Sequence, residues 1–132
     1  MTEKMKIIDF LRENQLDAIF VQKDENCRYL SKFTGSDSYL LLTKEELYLL
    51  TDSRYTEQAR KESADYTVVD YKGHLAEIVA KLAGEYHIKT MGVETVFSYQ
   101  MYLSFHEYMP NIEFRFSQID RLRQIKSEEE IF

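Results

Sequence analysis

Two apolar segments separated by three polar residues constrain the fold of this chain more than any other feature. Residues 38–43 (SYLLLT) and 47–51 (LYLLT) are both leucine-rich, and only Lys44, Glu45 and Glu46 lie between them. Two parallel strands need a crossover connection of about a dozen residues, which this short connection cannot supply. The two segments are therefore predicted to pair as an antiparallel hairpin.

The rest of the chain alternates short apolar segments with segments of helical periodicity. The clearest helix is predicted over residues 74–87, where apolar residues recur at helical spacing. Further helices are predicted at 3–14, at 27–35 after a polar loop (23–26), at 54–63 and between Ser98 and Pro110, and further strands at 16–22, 66–71, 89–94 and 112–117. We expect an α/β sandwich in which helices flank a mixed sheet of five to six strands with one antiparallel hairpin.

Composition limits the compartment and the class of partner. The 132 residues fit one domain, and the single cysteine, Cys27, excludes an intramolecular disulfide, so a reducing cytoplasm is the expected compartment. No segment approaches the roughly 18 apolar residues of a membrane span, and the N-terminus lacks the apolar core of a signal peptide. Without such a segment a membrane is not an expected partner. The formal net charge of -6 argues against nucleic acid, because phosphate binding needs a basic face.

The C-terminal end differs from the rest of the chain. Residues 119–132 (IDRLRQIKSEEEIF) are charged and have a helical composition, and the sequence stops at Ile131 and Phe132 without a capping residue. Two apolar residues are unusual at the free end of a helix. We therefore expect residues 1–118 to form one domain, and residues 119–132 to be a linker and the truncated first helix of a further domain.

Most residues that could carry chemistry have an ordinary structural interpretation. The sequence has neither a glycine-rich phosphate loop nor an HExxH zinc motif. His74 and His87 flank one predicted helix, about 20 Å apart at 1.5 Å per residue, and cannot share a metal ion. These two histidines and His106 are expected on the surface. Cys27 has no adjacent base in the sequence and is expected to be buried and unreactive.

The segment 51–55 (TDSRY) follows the second strand of the predicted hairpin directly. Asp52 at this strand end could be the phosphoacceptor of a receiver-like domain, with Asp24 and Glu25 as metal ligands. The topology opposes this interpretation, because a receiver reaches its phosphoacceptor strand through a crossover helix and not through a hairpin. A helix N-cap is favoured, since a side-chain oxygen of Asp52 or Ser53 can accept the first free N–H groups of the next helix.

Arg54 stands at a helix start, where the helix dipole disfavours a cation. It is expected either to pair with an acid such as Asp52 or to be reserved for an anionic partner. The nearby stretch 32–39 (KFTGSDSY) is expected to be a polar turn beside the hairpin.

Several stretches together resemble a known domain family. YLSKFTGSDSYLLLT, LYLLTDSRYTEQA and IDRLRQIKSEEEI occur in the order and spacing found in the N-terminal domain of the proline peptidases. These are Xaa-Pro aminopeptidase (aminopeptidase P) and Xaa-Pro dipeptidase (prolidase), and the domain is also called the creatinase N-terminal domain. The resemblance extends over essentially the whole chain, and its most distinctive parts are TDxRYxxQA and RxIKSxxEI. Ser53 stands where the family usually has glycine.

The resemblance implies a division of labour between two domains. In the family, the C-terminal domain binds two divalent metal ions, usually manganese, through two Asp, one His and two Glu, and hydrolyses the bond preceding proline. The present chain would then hold no catalytic residue, no metal ligand and no cofactor of its own. Its domain would build a dimer or larger homo-oligomer and form one wall of the substrate cleft.

The resemblance also implies the candidate site residues. Arg54 would bind the proline-containing peptide substrate, with Tyr55 and Asp52 supporting it. Whether the parent enzyme is a dipeptidase or an aminopeptidase stays open. The alternative is a regulatory or interaction domain of a creatinase-like protein that has lost catalysis.

Overall fold

The computed structural model describes residues 3–35 and 37–124, which form a six-stranded sheet with helices on both faces. The strands are β1 (Ala18–Val21), β2 (Tyr39–Thr43), β3 (Leu47–Thr51), β4 (Thr67–Asp70), β5 (Thr90–Val93) and β6 (Glu113–Phe116). The helices are α1 (Glu3–Glu13), α2 (Asp24–Ser31), α3 (Thr56–Glu62), α4 (Leu75–Glu85), α5 (Tyr99–Tyr108) and α6 (Arg121–Gln124). A short 3₁₀ helix, Ser53–Tyr55, precedes α3.

The sheet contains both parallel and antiparallel pairs, in the order β4-β3-β2-β1-β5-β6. Strands β2 and β3 are antiparallel, with Leu41 opposite Tyr48, which confirms the predicted hairpin. Strand β1 is antiparallel to β2 and parallel to β5, while the outer pairs β3–β4 and β5–β6 are parallel. The predicted α/β architecture with a mixed sheet and flanking helices is confirmed.

The central strands are buried because helices cover the sheet on each side. We call the side covered by α1, α2, α3 and α6 the α1 face, and the side covered by α4 and α5 the α4 face. Successive side chains of a strand point to opposite faces, so Ile19 and Val21 pack on the α1 face while Ala18 and Phe20 pack on the α4 face.

Aromatic rings form the centre of the core on the α4 face. Phe20 is fully buried, and its ring centroid lies 4.9 Å from that of Phe105, 5.6 Å from that of Tyr39 and 6.2 Å from that of Phe97. The ring of Phe114 from β6 stacks on Phe97 at 5.8 Å. Strands β1, β2 and β6 are thereby joined to α5 through one group of rings.

Helix α2 begins and ends earlier than the sequence predicts. Residues 24–26, expected in a polar loop, form its first turn, and it ends at Ser31, before the C-cap Lys32, which has a left-handed φ of 68°. The side chain of Lys23 provides no capping hydrogen bond at its start. Instead, the carboxylate of Glu94 accepts the backbone N–H of Lys23 at 2.9 Å, although the two residues lie 71 positions apart. Local sequence pattern carries no sign of such a distant cap.

Helix α5 begins as predicted. The hydroxyl of Ser98 accepts the backbone N–H of Met101 at 3.0 Å, which is the bond expected of an N-cap.

Within the described ranges, no helix combines the length and the apolar character needed to cross a membrane.

The chain after β6 returns across the sheet to the α1 face. Ile119 and Leu122 are each 1% exposed and belong to the apolar cluster of that face. The domain boundary predicted after residue 118 stays a prediction. Most of the predicted helix at 119–132 lies outside the described residues.

Candidate functional site

The TDSRY segment lies at the carboxyl end of β3, beside the turn that leads into β2. Oδ1 of Asp52 accepts the backbone N–H of Arg54 at 2.9 Å, so Asp52 caps the 3₁₀ helix. This geometry confirms the capping role predicted for Asp52. The backbone bond from Arg54, followed by the bond from its side chain, lowers the pKa of the Asp52 carboxyl. Asp52 is therefore ionised at neutral pH.

The side chain of Arg54 is held by an aromatic ring and two carboxylates. Its Nε donates to Oδ1 of Asp52 at 3.0 Å, and Nη2 lies 3.7 Å from Oδ2 of Asp37. The guanidinium carbon lies 5.2 Å from the centre of the Tyr55 ring, within the range of a cation–π contact. Pairing with Asp52 was one of the two expectations for Arg54. The side chain is nevertheless 66% exposed, so part of the guanidinium faces solvent.

Glu62, at the end of α3, forms hydrogen bonds to the turn that contains Asp37. Its carboxylate accepts the backbone N–H of Thr34 at 2.8 Å, the hydroxyl of Thr34 at 3.0 Å and the side-chain amide of Gln58 at 3.1 Å. On the other side of the turn, the hydroxyl of Tyr71 donates to the backbone carbonyl of Asp37 at 3.4 Å. Asp37 itself has a positive φ of 54°, which aspartate tolerates better than most residues.

Acid is expected to release the contact between Glu62 and Thr34. The bond from the Thr34 backbone N–H is the main cause that lowers the pKa of the Glu62 carboxyl. A carboxyl whose folded-state pKa is lowered stabilises the fold above its unfolded pKa, and this stabilisation is lost as the pH falls through the folded pKa. In an NMR titration, the Thr34 amide shift should therefore change with a midpoint below the usual glutamate value of about 4.3.

The variant Glu62→Gln provides the control for this titration. Glutamine still accepts the Thr34 N–H through its carbonyl but cannot ionise, so the acid transition of the Thr34 amide should disappear. A midpoint at or above the usual glutamate value in the unaltered protein would contradict the assignment.

Sequence reasoning missed Asp37, which lies beside Arg54, Tyr71, which donates to the Asp37 carbonyl, and Tyr39, whose ring contacts Tyr71. The rings of Tyr39 and Tyr71 meet edge to face at 5.8 Å. Burial raises the pKa of the Tyr71 phenol, and Tyr39, Asp37 and Asp52 raise it further, so Tyr71 lies within the field of these charges. The only local signal was Asp37 in the polar turn, since the two tyrosines belong to different parts of the sheet.

The other candidate residues do not join this site. His74 and His87 lie at the two ends of α4, and both are exposed, as is His106 on α5. Asp24 and Glu25 lie in the first turn of α2. Across residues 3–35 and 37–124, no group of three or more His, Cys, Asp or Glu side chains could hold a metal ion.

Cys27 is expected to be unreactive in the folded protein. It is 1% exposed, and burial, with smaller contributions from Glu94 and Asp24, raises the pKa of its thiol to about 12. Because the thiolate is the reactive form, a disulfide reagent at pH 8 should label the native protein far more slowly than free glutathione. Labelling in guanidinium chloride should be rapid and complete. Rapid labelling without denaturant would contradict the buried position.

Comparison with known proteins places the whole fold in one family. The family described as Creatinase/Prolidase N-terminal domain matches residues 5–125. The Xaa-Pro dipeptidase of Pyrococcus horikoshii is 32% identical over 137 residues, which covers 99% of this chain and 37% of the relative. The chain spans only about a third of the length of the curated relatives it matches.

Solved structures agree with this assignment. The Xaa-Pro dipeptidase from Bacillus anthracis superposes with a TM-score of 0.86 at 30% identity, over 98% of this chain and 37% of that chain. The N-terminal domain of the cytoplasmic peptidase PepQ from Mycobacterium tuberculosis has a TM-score of 0.82 at 26% identity, over 92% of this chain and 98% of that chain. Sequence and fold thus lead to one conclusion: the chain belongs to the creatinase/prolidase N-terminal domain family.

Proposed function

We propose that this chain is the non-catalytic N-terminal domain of an Xaa-Pro peptidase, an enzyme that hydrolyses the peptide bond preceding proline. Support comes from relatives that are named Xaa-Pro dipeptidase or Xaa-Pro aminopeptidase. The substrate class, a proline-containing peptide, is common to both names. The parent enzyme is proposed to work in the cytoplasm as a homo-oligomer.

The parent enzyme is further proposed to depend on two divalent metal ions, with manganese as the first candidate. The residues of the present chain do not fit such a centre, since the described part offers no cluster of three suitable ligands. The ions are therefore assigned to another part of the parent polypeptide, and the present domain to oligomer formation and the substrate cleft.

The observation that carries the substrate role is the exposed, oriented guanidinium of Arg54. Asp52 binds its Nε, and the ring of Tyr55 lies against it. A guanidinium presents five N–H donors in one plane, so an edge that is not bound by Asp52 can still bind a carboxylate or a carbonyl oxygen. Asp52 and Tyr55 are proposed to orient Arg54, which reduces the conformational entropy lost when substrate binds.

Hydrolysis assays on a polypeptide that continues beyond residue 132 test this proposal. With manganese, it should cleave Xaa-Pro dipeptides or longer peptides that begin Xaa-Pro, but not matched Xaa-Ala peptides. Residues 1–132 alone should neither bind manganese nor release an amino acid. Turnover by residues 1–132 alone would contradict the division of labour. A longer polypeptide that lacks the metal ligands and is inactive would instead indicate a regulatory or interaction domain.

A further inference from the structure

Strands β1 and β5 lie side by side and parallel, yet the helices that follow them cover opposite faces of the sheet. Helix α2 packs on the α1 face, and helix α5 packs on the α4 face. In open α/β sheets, such a switch point leaves a crevice at the carboxyl ends of the strands, where ligands commonly bind. Here a side chain of the protein fills this position. Glu94 follows β5 directly and is 3% exposed.

The carboxylate of Glu94 lies beside the N-cap residue of α2, Lys23, and beside Asn26 in the first turn of the helix. Its Oε1 accepts the backbone N–H groups of Gln22 at 2.5 Å and Lys23 at 2.9 Å, and its Oε2 accepts the side-chain amide of Asn26. The free N–H groups and the dipole of a helix start favour a negative charge there. Glu94 therefore supplies from inside the protein what a ligand supplies in other sheets of this kind.

The segment after β6, residues 117–122, lies beside this carboxylate, and we call it the exit segment. Asn26, which is fully buried, also donates to Oδ1 of Asp120 at 2.8 Å. Nζ of Lys23 lies 3.2 Å and 3.1 Å from the two carboxylate oxygens of Asp120. One asparagine thus joins two carboxylates, and one lysine offsets their charge. The apolar residues on either side of Asp120 are buried on the α1 face.

We propose that Glu94, Asn26, Lys23 and Asp120 form a latch that fixes the path by which the chain leaves the domain. The latch thereby sets the orientation of this domain relative to the polypeptide that continues after it. This second half rests on the proposed function, in which a catalytic domain follows. A guanidinium that binds substrate from a neighbouring domain needs such a fixed orientation, because small displacements of a positioning group cost rate. The four latch residues are positioning residues and act through the exit segment.

Amide hydrogen exchange on the 132-residue chain tests the local half of the proposal. The backbone amides of Ile119, Arg121 and Leu122 donate to carbonyls within the exit segment. Asp120→Ala should accelerate their exchange by about tenfold or more, since it removes charge-assisted bonds that hold the segment down. Amides of β1 and β5 should keep their exchange rates within about twofold.

Two further variants keep this test decisive. Glu107→Ala removes an exposed carboxylate from α5 and should leave the exit segment unchanged. Lys23→Met removes only the ammonium partner of Asp120 and should act in the same direction as Asp120→Ala, to a smaller extent. Unchanged exchange in the exit segment, or equal acceleration throughout the sheet, would overturn the latch.

A distance measurement on the longer polypeptide tests the orienting half. One spin label is placed at Lys81, which is exposed on α4, and a second label in the domain that follows. Asp120→Ala should broaden the distribution of distances between the two labels, whereas Glu107→Ala should not. If Asp120 only stabilised the domain, its replacement would leave this distribution unchanged. An unchanged distribution overturns this half, whatever the exchange result. Absence of Xaa-Pro hydrolysis would overturn the proposed function and leave the exchange result standing.

Discussion

Replacing Phe20 with alanine is expected to lower the free energy of unfolding by about 3–5 kcal/mol. Phe20 is fully buried at the centre of the α4 face, in contact with rings from β2, α5 and the loop before α5. Its removal leaves a cavity that these rings cannot all close, because they are attached to different elements. Native domains have a total stability of about 5–15 kcal/mol, so this loss is a large fraction of the stability available.

Urea denaturation followed by circular dichroism measures this loss, and Phe116→Ala is the matched control. Phe116 lies on β6 and is 71% exposed, so the same truncation there should change the free energy of unfolding by no more than about 0.5 kcal/mol. A loss below about 1 kcal/mol for Phe20→Ala would contradict the fully buried position of Phe20 at the centre of the aromatic core.

Replacing Arg54 with alanine in the parent enzyme is expected to lower kcat/KM for Xaa-Pro substrates by about ten- to a hundredfold. That range corresponds to losing one or two charge-assisted hydrogen bonds to substrate. The change should fall mainly on KM, because an anchoring group binds the substrate and the transition state alike. Arg54→Lys should be intermediate, since lysine keeps the charge but cannot bind through two parallel bonds.

Two further variants separate this role from a general charge effect. Arg60→Ala removes an exposed arginine from α3 and should leave the kinetics unchanged. Asp37→Asn should lower KM, because it removes the charge of a carboxylate that lies 3.7 Å from Nη2 of Arg54 and competes for it. Wild-type kinetics for Arg54→Ala, with an unchanged circular dichroism spectrum, would remove Arg54 from the substrate site.

The order of the elements could be predicted because their signals are local. The three-residue connection between the leucine-rich segments excludes a crossover, and the structure shows the hairpin. The periodic apolar residues predicted the position of α4, and Ser98 predicted the start of α5. Each of these features depends on residues that are close in sequence, so no knowledge of the tertiary contacts is needed.

The candidate site could be predicted only in part. Asp52 and Arg54 are two positions apart, and their pairing follows from the strand end and the helix start between which they lie. Asp37 lies in the turn before β2, and Tyr71 directly follows β4, so both come to this site from distant positions in the sequence. The register of β2, β3 and β4 brings them together, and local pattern contains no information about that register.

Hydrophobic periodicity and short-range hydrogen bonds made three features predictable: the alternation of helices and strands, the hairpin, and a cap at Asp52 or Ser53. The start of α2, by contrast, depends on a contact between residues that are distant in the sequence. Residues 24–26 resemble a polar loop, yet the carboxylate of Glu94 accepts the backbone N–H of the N-cap residue, Lys23, from 71 positions away. A buried charge that satisfies free backbone donors can determine a helix boundary, and pairing of this kind forms only when the sheet has brought β1 and β5 together.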